Sequence, residues 1–535
     1  MSPSASDSLL SLARDVIIGS RFVRDLPSHL RRPPLSPADR KREIAGRLER
    51  RAADLMALLH SAVFSRPRSL TARLLKHAGC EEGDLAAFLE KEGVEGALEV
   101  LRRAGVYLTL DEFKGRRPVV RGSLTLQGGP DAVRNPLARF HVALRTSGSR
   151  GAGTPVLVDF AYVVDAAVGT EAMLTARGAD RTLRATWEVP GGGALVRHLE
   201  FGSCGRPLSR WFSQLRPNLP SIHPRYRWSA TALRLGGRLA GVELPGPEHA
   251  PLEDPLPIVR WMEEVLKSGR EPLLFSFPSA VLRVTESAAA RGTSLEGAHV
   301  VTTGEPMTAV RLSALVGHGL RVAVRYGTIE VGAIGYGCLE AEQPDDLHVL
   351  DDMHGLIRVG AGGPGGLPEG ALLLTTLRAS APFVFLNVSM GDAAVLRERR
   401  CGCSLETLGW KRHLHTVRSF EKLTGAGMTF HDADVIRILE EVLPGRFGGS
   451  PTDYQLVEGE SAEGRALARL RIHPRVGEVD SQAVREAFLS VLGATSGADR
   501  VMAEVWRGVG FPEIDRTAPH VTFTGKVLHL HRLTP

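Results

Sequence analysis

The feature that most constrains how this chain folds is a pair of β-rich runs that end on short glycine-containing polar segments. Residues 299–303 lead into Thr303, Gly304, Glu305 and Pro306, and residues 320–325 lead into Tyr326, Gly327, Thr328, Ile329 and Glu330. The intervening stretch 309–316 has the composition of a short helix. Strand, polar turn and helix in alternation predict an α/β sheet whose chemistry lies at the carboxyl ends of its strands. Four more short segments keep a fixed order around these two: 146–155 (TSGSRGAGTP), 390–392 (MGD), 418–427, and 524–526 (TGK).

At 535 residues the chain exceeds what one hydrophobic core usually holds, so a large domain plus a smaller one is expected. With 43% hydrophobic and 24% charged residues it has the balance of a globular protein. The net charge of +6 comes from arginines interleaved with acids along the whole chain, a pattern that argues against nucleic-acid binding and suits an anionic ligand. Five scattered cysteines, Cys80, Cys204, Cys338, Cys401 and Cys403, do not make a disulfide framework and fit a reducing, cytoplasmic setting. No membrane span is expected: Arg14 and Asp15 interrupt the first apolar stretch, and Asp159 and Asp165 the longest.

The first hundred residues read as helices. Ser36, Pro37 and Asp39 form a start signal, after which Ile44, Leu48, Ala52, Leu55 and Leu59 recur at helical spacing. Asp84 is placed to cap a helix that stops at Gly93, and Val94, Leu98 and Leu101 line another up to Gly105. No catalytic group is needed to explain this region. Toward the C-terminus the pattern predicts a helix through Val435 to Val442 ending before Pro444, a strand over 466–472, a helix through Val484 to Leu492 stopping at Gly493, and a strand through Val501, Ala503 and Val505. The expected organisation is a helical segment over 1–116, a large multi-sheet α/β domain over 117–416 and a small mobile α+β domain over 417–535. The boundary falls near 412–420, and the glycine-rich run 360–370 is a turn.

The segment TSGSRGAGTP concentrates glycine and hydroxyl groups, which lets backbone N–H groups, Ser147, Ser149 and Thr154 approach phosphate oxygens. It is not a Walker A loop, because no Gly-Lys-Ser/Thr closes it. With the other segments, the chain from about residue 95 onward resembles the adenylate-forming superfamily, most closely the phenylacetate–coenzyme A ligase-like branch. The resemblance implies that Ser147, Gly148, Ser149, Gly151, Gly153 and Thr154 wrap ATP phosphates, with Arg150 standing where threonine is usual. It implies that Gly304, Glu305 and Pro306 form the adenine turn and that Tyr326 and Gly327 lie beside adenine. Thr328 would meet the α-phosphate and Glu330 would hold Mg²⁺, a hard cation suited to carboxylate oxygen.

By the same resemblance Gly391 and Asp392 match the pair that receives the ribose hydroxyls, and an ionised carboxylate can accept both. Arg418 matches the arginine that opens the small domain, although Ser419, Phe420, Glu421 and Lys422 replace the usual aspartates after it. Lys526 matches the C-terminal lysine that supports adenylation, where a positioned cation stabilises charge building on phosphorus. The implied reaction joins a small-molecule carboxylic acid to AMP from ATP and passes the acyl group to coenzyme A. A carrier-protein thiol, protein cysteine or amine is the alternative acceptor, and a non-catalytic nucleotide-binding protein the second alternative. The run 272–279, with Phe275 and Phe277, falls where the family places its acyl pocket.

A separate signal lies in Cys338, His348, Cys401 and Cys403. Three thiols and one imidazole are a normal structural Zn²⁺ set, and reduced cysteines are also buried simply as apolar residues. Oligomeric state is not legible in the sequence.

Overall fold

The computed structural model describes the chain apart from residues 1–4, 146–153, 217–223, 253, 308, 362, 420–423, 426–427, 430–434, 436, 450–452, 461–465, 495–496, 521–529 and 533–535. The expected α/β architecture is present: a helical N-terminal part, a twelve-stranded sheet flanked by helices, and a smaller four-stranded α+β unit.

The N-terminal part runs through helices Ala5–Leu30, Pro37–Glu49, Arg51–Leu59, Leu70–His77, Glu82–Arg103 and Leu110–Phe113. Ser36 caps the second of these by accepting the Asp39 N–H, with Pro37 at the first helical position. The helix Glu82–Arg103 is broken at Gly93, whose φ of 69° lies in the left-handed region. Its cap is Glu81; Asp84, expected as the cap, sits three positions later and accepts the Glu81 N–H at 2.9 Å, closing a capping box. The short helix Leu110–Phe113 is held at both ends. Thr109 and Glu112 cap its start, and Phe113 sits edge-on to Phe383 and Phe385 at 5.5 and 5.0 Å.

In chain order the large sheet comprises β1 (Leu183–Trp187), β2 (Arg210–Ser213), β3 (Pro247–His249), β4 (Pro272–Ser276), β5 (His299–Thr302), β6 (Arg321–Thr328), β7 (Gly332–Gly337), β8 (Leu347–Val349), β9 (His354–Arg358), β10 (Ala371–Thr376), β11 (Val388–Glu398) and β12 (Arg412–Ser419). Their spatial order is β9-β10-β11-β12-β8-β7-β6-β5-β4-β1-β2-β3. From β6 to β3 all neighbours are parallel; from β6 to β9 all are antiparallel. The central parallel strands β1, β4 and β5 are buried on both faces, which explains continuous apolar runs such as Leu273, Leu274 and Phe275. Helices Phe160–Ala176 and Gly192–Ser203 cover one face, where Phe201 meets Phe275 at 5.3 Å.

In the C-terminal unit, strands β13 (Tyr454–Glu460), β14 (Ala466–Ile472), β15 (Glu513–Asp515) and β16 (Leu530–Arg532) lie in the order β15-β14-β13-β16. Two expectations need correction here. The run holding Val501, Ala503 and Val505 is the helix Gly497–Gly508, because Val501 and Val505 share a face at i, i+4 with buried Trp506 beside them. The helical stretch before Pro444 does not stop there: Ile438–Val442 continues into Leu443–Phe447, with the proline in the first turn, and ends at Gly448, φ 82°. Among the described residues no helix is long and apolar enough to cross a membrane.

Candidate functional site

The polar segments fall where the alternation placed them, with one difference. Residues Thr303 to Pro306 follow the end of β5, but Tyr326, Gly327 and Thr328 belong to β6 itself, which runs on through a bulge between Tyr326 and Gly327. Glycine is required at that bulge: a Cβ on Gly327 would lie 2.2 Å from the Gly332 carbonyl oxygen. Gly304 has a φ of 82° and packs over the Phe277 ring.

Two groups of the expected residues are brought together. Tyr326 donates its hydroxyl to Asp392 Oδ2 at 2.8 Å, linking β6 to β11 across the sheet. Burial and the adjacent carboxylate hold the Tyr326 phenol protonated, well above its ordinary value, so it remains a donor. Gly391, φ 86°, precedes Asp392 within β11 and not in a turn. The second group is Thr154 and Glu330, joined by a residue that no sequence signal marks. Lys114 Nζ lies 2.6 Å from Thr154 Oγ1 and 2.9 Å from Glu330 Oε1. All three are largely buried, with side-chain exposures of 11% for Lys114 and 5% for Glu330. Lys114 is the C-cap of Leu110–Phe113, and the aromatic packing of Phe113 fixes where its ammonium points. The helical N-terminal part, whose pattern needs no catalytic group to explain it, thus supplies an ammonium to the sheet. Near this cluster in sequence, Thr328 Oγ1 is buried with no hydrogen-bond partner among the described residues.

Other expected residues serve local structure in the geometry seen. Glu305 is buried and pairs with Arg311 at 3.1 Å, and the same guanidinium donates to the Pro306 carbonyl at 2.9 Å. Arg418, on β12, reaches Asp345 Oδ2 at 3.1 Å, while Asp345 also accepts the N–H groups of Thr416 and Val417. Ser147, Gly148, Ser149, Gly151, Gly153 and Lys526 lie outside the described residues.

The cysteine and histidine set converges from three places: Cys338 just after β7, His348 on β8, and Cys401 and Cys403 between β11 and β12. His348 Nε2 lies 3.1 Å from Cys403 Sγ and 3.5 Å from Cys401 Sγ, and Cys338 Sγ lies 4.0 Å from Cys403 Sγ. These separations bracket the edge of about 3.6 Å expected between ligand atoms of tetrahedral zinc. His348 donates through Nδ1 to the Trp410 carbonyl at 2.7 Å, which leaves Nε2 as the lone-pair nitrogen. Burial and neighbouring His413 lower its pKa to about 4, so the ring is neutral at physiological pH. His413, not foreseen, is the cross-strand partner of His348. Its Nδ1 lies 2.8 Å from Asp346 Oδ1, and its Nε2 has no hydrogen-bond partner among the described residues. Ligand atoms of Cys338, His348, Cys401 and His413 all lie within 4.8 Å of one another. The donor set is therefore chemically suited to zinc, with five candidates for four positions.

No family profile matches the chain, and no curated protein does. Among solved structures, it is similar to 2-hydroxyisobutyryl-CoA ligase in complex with 2-HIB-AMP and CoA in the thioesterification state. The TM-score is 0.51 and the identity 16%, over 93% of this chain and 91% of that one. The two share a fold. A second similarity, to an amide bond synthetase from Marinactinospora thermotolerans, has a TM-score of 0.39 and 13% identity over 90% and 92% of the chains.

Proposed function

We propose that this chain is an adenylate-forming ligase of the phenylacetate–coenzyme A ligase-like branch, which activates a carboxylic acid with ATP and transfers the acyl group to coenzyme A. The observation that carries the reading is the convergence of Lys114, Thr154 and Glu330. A buried ammonium, a hydroxyl at the end of the glycine-rich segment and a carboxylate after β6 meet within hydrogen-bond distance in a fold shared with an acyl-CoA ligase. Asp392, already an acceptor for Tyr326, keeps acceptor capacity for ribose hydroxyls. The unsatisfied Thr328 hydroxyl is a donor for an α-phosphate oxygen. Glu330 offers the hard oxygen that Mg²⁺ prefers, and the metal would supply charge neutralisation to the polyphosphate.

The acid carboxylate attacks the α-phosphorus, the bond to the bridging oxygen breaks, and pyrophosphate leaves. The thiol then attacks the acyl carbon and AMP leaves. Ser147, Gly148, Ser149, Gly151 and Gly153 would donate to phosphate oxygens, and Gly304, Glu305 and Pro306 would shape the adenine edge beside Tyr326 and Gly327. Lys526 would stabilise the first transition state, Arg418 would mark the start of a mobile small domain, and the Cys/His cluster would bind structural zinc. Scattered cysteines with no disulfide framework suit a reducing compartment such as the cytoplasm.

Pyrophosphate exchange tests the first step. Lys526→Ala should lower it by about 10² to 10³ while leaving thiolysis of supplied acyl-AMP less affected. Exchange at the parental rate in that variant would refute the assignment. Mass spectrometry after adding coenzyme A, a carrier protein or an amine to accumulated acyl-AMP identifies the acceptor.

A further inference from the structure

On the sheet face covered by Phe160–Ala176 and Gly192–Ser203, three guanidinium groups face two carboxylates. Arg184 pairs with Glu171, one of its two bonds measuring 3.1 Å, and Arg197 pairs with Glu200 at 3.2 Å. These four side chains are no more than 6% exposed, so each charge is compensated inside the protein. Glu200 also accepts from Thr170, whose hydroxyl lies 2.6 Å from the Tyr336 hydroxyl. Arg325 is the third guanidinium. It is directly opposite Tyr336 in the β6–β7 register and so points to the same face. Among the described residues no carboxylate forms an ion pair with it; its nearest polar contacts are Thr303 Oγ1, 3.5 Å from its NH1, and the Tyr336 side chain. Its Nε is buried and has no hydrogen-bond partner among the described residues. Arg197 lies close by and opposes its charge, while Glu200, the one carboxylate whose charge favours it, is already paired with Arg197.

A guanidinium in this setting costs free energy unless an anion meets it. Arg184 and Arg197 are buried, whereas Arg325 is half-buried. Its position fixes which anion. Tyr326, the next residue, turns to the opposite face and bonds Asp392, so Tyr326 and Arg325 lie on different sides of the strand. Arg325 meanwhile approaches Thr303, where β5 hands over to the Gly304 turn. Building on the ligase reading, we propose that Arg325 binds a second anionic group on the acid substrate, and that the substrate class is a dicarboxylic acid. One carboxylate reacts at the α-phosphorus; the other is held by the planar guanidinium fork, which suits a carboxylate better than an ammonium would.

The test compares acids that differ only in a terminal methyl or carboxylate, such as butyrate with succinate, valerate with glutarate and hexanoate with adipate, in pyrophosphate exchange. At least one diacid should exceed its matched monoacid by about tenfold or more in kcat/KM, because a site built around a charged donor rejects a partner lacking the group. Arg325→Met should abolish that preference mainly through KM, and Arg325→Lys should restore part of it. Monoacids equal to or better than diacids in the parent protein, or a preference unchanged in Arg325→Met, would overturn the proposal. Calorimetric titration of diacids without ATP separates the two readings. Binding lost in Arg325→Met, with no acid supporting exchange, would keep the anion site and sink the ligase. Exchange with monoacids alone would do the reverse, and diacids that neither bind nor exchange would sink the anion site.

Discussion

Replacing Lys114 by Met removes the ammonium from a buried carboxylate while keeping most of the side-chain volume. The Lys114 to Glu330 pair is 2.9 Å long and both members are nearly out of solvent, so solvent screening of the interaction is weak. Breaking a buried pair by removing one partner costs about 3 to 5 kcal/mol. The Thr154 contact at 2.6 Å places this change at the low end, since that hydroxyl can reorient toward Glu330. A loss of about 3 kcal/mol corresponds to a melting temperature lower by about 6 to 12 °C in a domain of about 150 to 250 residues, and by less in a chain this long. The double variant Lys114→Met with Glu330→Gln should recover much of the loss, because the carboxylate charge that the ammonium balanced is then gone. Mg²⁺ should raise the melting temperature of Lys114→Met more than that of the parent, since the divalent cation supplies the positive charge that the ammonium supplied. Differential scanning calorimetry with and without Mg²⁺ measures all of these. An unchanged melting temperature in Lys114→Met, or a double variant that is the sum of the singles, would refute the assignment of Lys114 as the charge partner of Glu330.

Purified protein prepared without chelators should contain about one zinc per chain, and Cys401→Ser with Cys403→Ser should lower metal content and melting temperature together. Elemental analysis of His413→Ala and of Cys403→Ser separately then shows which of the two completes the set, the dispensable one leaving stoichiometry intact. Acid should destabilise the fold earlier than carboxylate titration alone would. Burial lowers the pKa of His29 and of His354 to about 4 from 6.5, against the opposing hydrogen bonds to the carbonyls of Leu199 and Ala333. The unfolded chain therefore binds protons at pH values where the folded one does not, and stability, complete above about pH 6.5, falls as pH drops toward 4. Each group contributes about 3 kcal/mol to that loss, and urea midpoints that do not change between pH 7 and 4.5 would refute it.

The parts of the fold that were legible in the sequence are those set by neighbours along the chain. Ser36, Pro37 and Asp39 predict a helix start because a hydroxyl cap acts over three residues, and the Asp39 N–H does bond Ser36 Oγ. The strand over 466–472 and the stop at Gly493 follow from the same short-range logic. Where local signals conflict with packing, packing wins. Val501, Ala503 and Val505 fit a two-residue period, yet Val501 and Val505 also share a helix face, and burial beside Trp506 decides for the helix. Pro444 reads as a stop, yet the wider π-type turn over Ile438–Val442 directly before it lets the helical stretch run on to Phe447.

The site divides in the same way. Cys338, His348, Cys401 and Cys403 announce themselves by residue type, because soft thiolates and imidazole are rare enough for their grouping to carry information. Glycines and carboxylates at strand ends do so by position. Lys114 and Arg325 had neither advantage. Lysine and arginine are usually surface residues, and nothing beside Lys114 in the chain shows that its ammonium will meet Glu330, 216 residues later. The tie is made by Phe113 packing on Phe383 and Phe385 and by Leu108 bonding the backbone of Asn387 and Ser389, which together set the short helix beside β11. What sets these two cations apart is the carboxylate each meets or lacks once the sheet has assembled, and that is a property of the sheet's topology. Lys114 is notable for the acid it meets and Arg325 for forming no ion pair with an acid among the described residues, and neither condition exists until strands distant in the chain stand side by side.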